Sequence, residues 1–559
     1  MDENGVATGQ CKYRCGTAAE TLQWIKAIIE FIQPYNFLIT AQVVNFFTDR
    51  LWEALDKEWV DCLRNEPVQH LLLIPSGVVQ DHWPASLKQF ILTLRSLAFP
   101  REQVNLQKLF PKLNMTSLSS VLSQGMNKKK RHEIEVLSAI VSSITNEVGA
   151  EVIVDVGAGQ GYLAQVLSFQ YHHHVVAIDA CSHHGKVTES RAERIRKHYA
   201  AQMRKLGSGN GTISTPRTIT CRVLSTDMLK SLADIVPPAD DVKGAQLINQ
   251  DTEGKASLVL AGLHACGDLS VTMLKTFSEC KDAKAIISIA CCYNLLSEEC
   301  FNSAGSQTGF PVSNGVRATR ISLGKSSRDL ACQSAERWSC LDKDAGLQNF
   351  DLHAFRAVFQ KISFPVKVLF KYYPGIITSR PSVGRQGKAL RRKQQRGVPY
   401  SLENAEGNKH FLLETSKRTN ICNIMQPPES RLYDDYNSAL NINANSDGGA
   451  CDLVNEGLAA PDKCTLFEKF SVSGLSRLGL EPLQEIDFHE IWSESQPYAE
   501  LIGPYWSLRA AMGPVLETLL LLDRLLFLQE QDGLLDVAMF PIFDPALSPR
   551  NLAIIARRT

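Results

Sequence analysis

Neither sign of charge dominates this 559-residue chain: lysine plus arginine total 59, and aspartate plus glutamate total 59. Such a balance leaves no global field to attract nucleic acid or a membrane surface, so any RNA contact must be local. Also missing is an uncharged apolar run near the roughly 20 residues that span a bilayer. The longest apolar helix expected, around 508–528, is interrupted by Glu517, Asp523 and Arg524. Residues 1–10 are polar and acidic and lack the charged-then-apolar pattern of a secretory leader. The 15 cysteines lack the regular spacing of a disulfide framework, which fits a reducing compartment. A chain with no membrane contact, cytoplasmic and/or nuclear, is therefore expected.

What is present suffices for a large core, since 44% of the residues are apolar. At this length two units and irregular insertions are expected. Residues 1–17 read as a flexible start and 18–123 as a helical N-terminal domain. Helices are expected at Thr21–Phe31 and Ala41–Leu55, parted by Pro34, with Phe46, Phe47, Leu51, Trp52 and Leu55 forming one buried stripe. From 124 to 378 an amphipathic helix opening on Lys128-Lys129-Lys130-Arg131-His132-Glu133 precedes alternating strands and helices. Strands are expected at 151–156, 174–179, 219–224, 257–263 and 284–290. This alternation implies an α/β fold with a mostly parallel sheet covered on both faces. Residues 379–464 read as a basic and then polar disordered insertion, opening with Arg385, Lys388, Arg391, Arg392, Lys393 and Arg396. Residues 465–559 return to order with a long helix at Leu508–Glu530. An antiparallel hairpin from Val537–Phe543 and Leu552–Ala556 follows, as in Rossmann-like methyltransferases.

The most informative stretch is Ile153-Val154-Asp155-Val156-Gly157-Ala158-Gly159-Gln160-Gly161-Tyr162-Leu163. It reads as a buried strand running into three alternate glycines and then a helix, which is where a nucleotide-like cofactor sits. The dinucleotide fingerprint is G-x-G-x-x-G, whereas G-x-G-x-G is tighter. That spacing favours a cofactor without a pyrophosphate, such as S-adenosylmethionine (SAM), over NAD. Asp155 can orient the turn or meet a cation. Asp179, ending the second strand, can accept from ribose hydroxyls, or cap the next helix. Asp227, after the third strand, can accept from an adenine amino group, or cap a loop.

Leu258 to Ser270 delivers His264, Cys266 and Asp268 to the carboxyl edge of the sheet, and the next strand delivers Cys291, Cys292 and Tyr293. In one reading His264, Asp268 and Tyr293 position and deprotonate a methyl acceptor. In a second, His264, Cys266, Cys291 and Cys292 bind zinc. Adjacent cysteines on a strand point to opposite faces, so no metal is expected. In a third, the cysteines are small buried hydrophobes. A nucleophilic cysteine is the least favoured.

Val154 to Gly161, Gly262-Leu263-His264-Ala265-Cys266-Gly267-Asp268-Leu269-Ser270 and Cys291-Cys292-Tyr293 resemble the methyltransferase-like protein 25 family. That family includes proteins named for a ribosomal RNA adenine dimethylase domain. Phe46 to Trp52, Lys129 to Ile134, Leu521 to Glu530 and Leu547 to Leu552 are similar to further parts of it. The resemblance implies a Rossmann-like class I SAM-dependent methyltransferase fold with an N-terminal helical region. It places Asp155, Gly157, Gly159 and Gly161 at the methionine moiety and Asp179 at the ribose. Lys130 or His132 would reach the cofactor carboxylate. Adenine N6 methylation normally uses an Asn-Leu/Pro-Pro-Tyr type string, and His264-Ala265-Cys266-Gly267 stands there instead. Adenine dimethylation is therefore not carried over. The acceptor stays open, with RNA (hence RNA methylation) or a ribosome-associated protein as the class to test. The rival expectation is a non-catalytic scaffold on the same fold that binds RNA or a partner through Arg385–Arg396. Oligomeric state is not legible.

Overall fold

In the computed structural model the described residues are 12–205, 214–221, 224–235, 256–298, 309–372, 462–478, 486–531 and 535–558. Arg385–Arg396 and most of the polar stretch around them lie outside these residues. Two compact units are formed. The first comprises Met1–Gln42, Trp52–Gln348 and Gly503–Thr559, and the second Val43–Leu51 and Asn349–Ile502.

The first unit is built on a seven-stranded sheet in the order β3-β2-β1-β4-β5-β7-β6. Its strands are β1 (Val152–Val156), β2 (His174–Asp179), β3 (Arg217–Thr220), β4 (Leu258–Ala265), β5 (Ala283–Ala290), β6 (Leu535–Pro541) and β7 (Leu552–Arg558). Strands β1 to β5 pair in parallel, whereas β7 runs antiparallel to both β5 and β6. The central strands are apolar almost throughout because both faces are covered: every residue of β1 is buried. On one face, helices Lys128–Glu147 and Tyr162–Phe169 bring Ile134, Leu137, Val141, Leu163 and Val166 onto Ile153, Val259, Ile287 and Ile555. On the other, helix Asp268–Glu279 approaches so closely that a Cβ on Gly262 would lie 2.8 Å from Met273. The chain leaves β1 toward β2 on one side and returns to β4 on the other. The sheet order thus reverses between β1 and β4, where open α/β sheets bind ligands.

The N-terminal helices belong to this unit. Helix Ala18–Ile32 starts on a capping box between Thr17 and Glu20 and buries Trp24, Ile25, Ile28 and Ile32. The Trp24 indole N–H donates to Leu97 O (2.9 Å), and the Thr21 hydroxyl donates to Gln529 (2.8 Å) on helix Gly513–Gln529. In the second unit, helices Lys463–Leu478 and Phe488–Ala499 pack Phe467 and Trp492 around Phe355, with ring centroids 5.2–5.8 Å apart.

Several expected boundaries move. Ala41–Leu55 is no α-helix. Its chain forms 3-10 turns at Val43–Asn45 and Leu51–Ala54, interrupted by Arg50 at φ +48°. Thr48 donates to Asn45 O (3.1 Å), a local bond that competes with helix continuation. Phe46, Leu51 and Leu55 are buried as expected, while Phe47 and Trp52 are only half-buried. The third strand ends at Thr220 rather than running through 219–224. The long C-terminal helix is two, Ile502–Ala511 and Gly513–Gln529, since Pro514 opens a helix but cannot continue one. Among the described residues, no helix is long and apolar enough to cross a membrane. Every cysteine among them is a free thiol.

Candidate functional site at the carboxyl ends of β1, β2, β4 and β5

The glycine turn links β1 to helix Tyr162–Phe169. Gly157, Gly159 and Gly161 all have positive φ, at +73°, +57° and +67°. Gly157 and Ala158 N–H groups donate to Ile178 O (2.8 and 3.0 Å), tying the turn to the end of β2. A Cβ on Gly161 would stand 2.3 Å from Thr188, whereas one on Gly159 would meet nothing within 4 Å. The turn is packed at its root and open at its tip. Asp155 is only 2% exposed, and its Oδ2 accepts from Ala164 N (3.2 Å), pinning the helix start to β1. Burial pushes its carboxyl up to about 7, outweighing that hydrogen bond, and the nearby Asp179 charge adds to the rise. Asp155 thus shapes the turn from beneath.

Asp179, the last residue of β2, faces the open tip. Its Oδ2 accepts from Gly159 N (2.9 Å), and its Oδ1 accepts from Cys181 N (2.8 Å) and faces His184 Nδ1 (3.0 Å). Asp227 is exposed in the first turn of helix Thr226–Ile235.

A residue to which the sequence pattern assigns no role sits at the centre of the site. Glu133 is fully buried, and its Oε1 accepts from Ser548 Oγ (2.7 Å). Its Oε2 lies 3.1 Å from His264 Nε2 and 3.4 Å from Lys130 Nζ. Burial alone would raise this carboxyl. The hydrogen bond and charge of His264, then Ser548 and Lys130, overcome it and bring the group down to about 2. The signal for it was a glutamate ending a basic run, three and four residues after Lys130 and Lys129. His132 points elsewhere: its Nε2 accepts from Asp544 N (3.0 Å), and its ring meets Phe543 edge-on.

His264 has φ +63°, an uncommon conformation for a residue with a Cβ, and it falls where the β4–β5 register slips between Leu263 and Ala265. The bulge re-aims its ring toward Glu133. Strain of this kind is found at functional positions. With Glu133 Oε2 facing Nε2, Nδ1 is the ring's other nitrogen.

Two members of the expected acceptor-side trio do not join His264. Tyr293 is 1% exposed, and its hydroxyl donates to Glu517 Oε1 (2.7 Å), while Arg101 and Arg550 pair with the same carboxylate. Burial, then the Glu517 charge, drives its phenol well above the ordinary range. It is a structural tyrosine, which corrects the catalytic expectation. Asp268 heads helix Asp268–Glu279 and accepts from Ser297 N (2.7 Å), so it anchors the chain after β5.

The cysteines behave differently from expectation. Strand β5 ends at Ala290, so the opposite-face rule stops before Cys291 and Cys292. The sulfurs of Cys266, Cys291 and Cys292 converge at 3.3, 3.3 and 3.5 Å. The geometric argument against their acting together is therefore overturned. Hydrogen bonds from Cys266 and Cys291, then the charges of His264 and Arg550, hold the Cys292 thiol below its ordinary range, and the same sulfur contacts raise Cys291.

With this geometry in place, residues 129–299 match the family described as "Methyltransferase domain". That match takes in the Lys130–Glu133 segment, the glycine turn, His264 and the three cysteines. The similarity then extends along nearly the whole chain to proteins named "Probable methyltransferase-like protein 25". The one from Mus musculus is 24% identical over 95% of this chain and 96% of its own length. The one from Homo sapiens is 22% identical over 95% and 96%. Over nearly its whole length the chain is thus similar to the methyltransferase-like protein 25 proteins, as its motifs imply. No solved structure matches it.

Proposed function

We propose that the chain is a SAM-dependent methyltransferase of the Rossmann-like class I fold, with the cofactor seated where β1, β2 and β4 end. The observation that carries this is the open tip of the glycine turn. Gly159 offers a surface that no side chain obstructs, and its N–H is held by the carboxylate of Asp179. The donor set fits the cofactor. Gly157, Gly159 and Gly161 let the backbone approach the methionine end, and Lys130 supplies a cation for its carboxylate. Asp179 accepts from a ribose hydroxyl. A carboxylate has about four lone-pair sites, and three are used by Gly159, Cys181 and His184, so one stays open without rearrangement. Asp227 is placed for the adenine side by its position after β3. Asp155 acts through the turn that it pins, and His132 through the Asp544 backbone that it holds.

When bound, the cofactor supplies a sulfonium methyl group open to in-line displacement, for which alignment provides much of the acceleration. Held by Gly157, Gly159, Gly161, Lys130 and Asp179, the cofactor would supply the methyl group and the acceptor the lone pair. If the acceptor carries a proton, His264 is the group that takes it. Glu133 orients the ring through Nε2 and stabilises the imidazolium that results.

Calorimetric titration of the purified chain with SAM, S-adenosylhomocysteine and NAD tests this reading. Binding of the two sulfur cofactors alone is expected, with Asp179→Ala weakening it by about tenfold or more, the scale of a lost charge-assisted hydrogen bond. Saturable NAD binding instead, or no binding by folded protein, would reject it. The second result would favour a scaffold. His264→Ala is expected to keep cofactor affinity and to lose turnover once an acceptor is found; RNA and ribosomal proteins are the first acceptors to offer.

A further inference from the structure

The turn after β4 and the turn after β5 bring three sulfurs together for which the cofactor site has no use. We propose that Cys266, Cys291 and Cys292 ligate one thiophilic divalent cation of the zinc class, with the fourth coordination position left open.

The geometry is close to one face of a tetrahedron. Zinc–sulfur bonds of about 2.3 Å at tetrahedral angles put sulfurs about 3.8 Å apart. The observed edges are 3.3, 3.3 and 3.5 Å. A cation about 2.3 Å from each sulfur would then sit about 1.2 Å off their plane, and opening the triangle by a few tenths of an ångström makes the fit ideal. Among the described residues, no other group of three or more His, Cys, Asp or Glu offers atoms gathered this closely. Thiols are weak hydrogen-bond partners, so three of them in mutual contact gain little from one another. Deprotonated, they are the softest ligands a protein has.

Placement argues the same way. Cys266 directly follows Ala265, the last residue of β4, and Cys291 directly follows Ala290, the last of β5, so paired central strands fix two of the three sulfurs. All three residues are half-buried, which leaves an approach to a fourth position. Cys332 does not fill it, because its thiol is directed at Cys291 O (3.8 Å) and Asn294 Oδ1 (3.6 Å). Three protein ligands and an open position are the pattern of zinc sites that bind a water or a substrate donor atom. The site lies at the strand ends where the methyltransferase reading puts the acceptor. Metal content is read without the cofactor, so failure of either proposal leaves the other standing.

The test is elemental analysis of the full chain, carrying no histidine tag and expressed with added zinc. Purification uses reductant and no chelator. One zinc per chain is expected, falling at least tenfold in Cys266→Ser and in Cys292→Ser, and unchanged in Cys340→Ser, whose thiol is exposed and outside the triangle. Circular dichroism confirms that the variants fold. Should they not, cobalt titration of the metal-depleted wild-type chain decides. An intense sulfur-to-cobalt charge-transfer band with tetrahedral d–d absorption supports the site. Folded wild-type chain without zinc and without that band would overturn the proposal. So would zinc retained equally by all three variants, or a disulfide among these cysteines in protein kept under reductant.

Discussion

Asp155 and Glu133 are both buried carboxylates within the same site, and they respond to pH in opposite directions. Asp155 has its carboxyl raised to about 7 by burial, so between pH 4 and 7 the folded chain holds a proton that the unfolded chain has released. Stability should therefore fall as pH rises through that window, by an amount on the order of a few kcal/mol. Asp155→Asn keeps an oxygen to accept from Ala164 and carries no charge. It should melt near the wild type at pH 5 and clearly above it at pH 8 in thermal scans; a gap that does not vary with pH would refute the elevated carboxyl. Glu133 has its carboxyl lowered to about 2, so its contribution is complete above the ordinary glutamate value and disappears as pH falls from about 4.5 toward 2. Glu133→Gln should lose stability at pH 7, and the acid-induced decline should be shallower than in the wild type. A variant with an unaltered acid limb would show that His264 and Lys130 do not hold this charge.

Helix Gly513–Gln529 carries three ionisable residues that keep it from reading as a membrane span, and the fold engages both of its acids inside the protein. Glu517 accepts from Tyr293 and pairs with Arg101 and Arg550. Asp523 accepts from Val312 N (2.8 Å), Ser313 N (2.9 Å) and Ser313 Oγ (2.6 Å). Removing one partner of such a buried set strands the others. Glu517→Leu should therefore cost about 3–5 kcal/mol in urea unfolding. A loss under 1 kcal/mol would mean that Arg101 and Arg550 find other acceptors. The glycine turn, β1, β2, β4 and β5 were readable in the sequence because strand, turn and helix signals there are local and strong. Strand β3 was misplaced because Arg-Thr-Ile-Thr is polar and lies at the sheet edge, where burial imposes no pattern. The partners of Tyr293 and His264 could not be read, since Glu517 is 224 residues away and Glu133 is 131 away. The convergence of the cysteines was hidden by one residue, because the opposite-face rule depended on β5 continuing past Ala290.

Across the whole molecule, the described sheet and site draw on 130–298 and 535–558, and the polar composition of 379–461 predicts that it adds nothing to them. Replacing 379–461 by a flexible linker of roughly 20 Gly and Ser residues, which spans about 25 Å, should leave SAM affinity and melting temperature essentially unchanged. A tenfold loss of affinity would place a missing part of the site in that stretch. Binding of RNA lost together with it, while SAM affinity holds, would assign the basic run to acceptor capture.

The antiparallel strand that completes the sheet has a consequence for how the chain is made. Ser288 of β5 pairs with Ile554 of β7, 266 positions later. At translation rates of about 5–20 residues per second, those positions take on the order of 10–50 s to emerge. Throughout that interval the apolar strand carrying the route to Cys291 and Cys292 has one side without its neighbour, a template for pairing with other nascent chains. Synthesis, more than the finished protein, is when this chain is most exposed to aggregation. Slowing elongation should lower its soluble yield more than it lowers the melting temperature of the molecules that do fold.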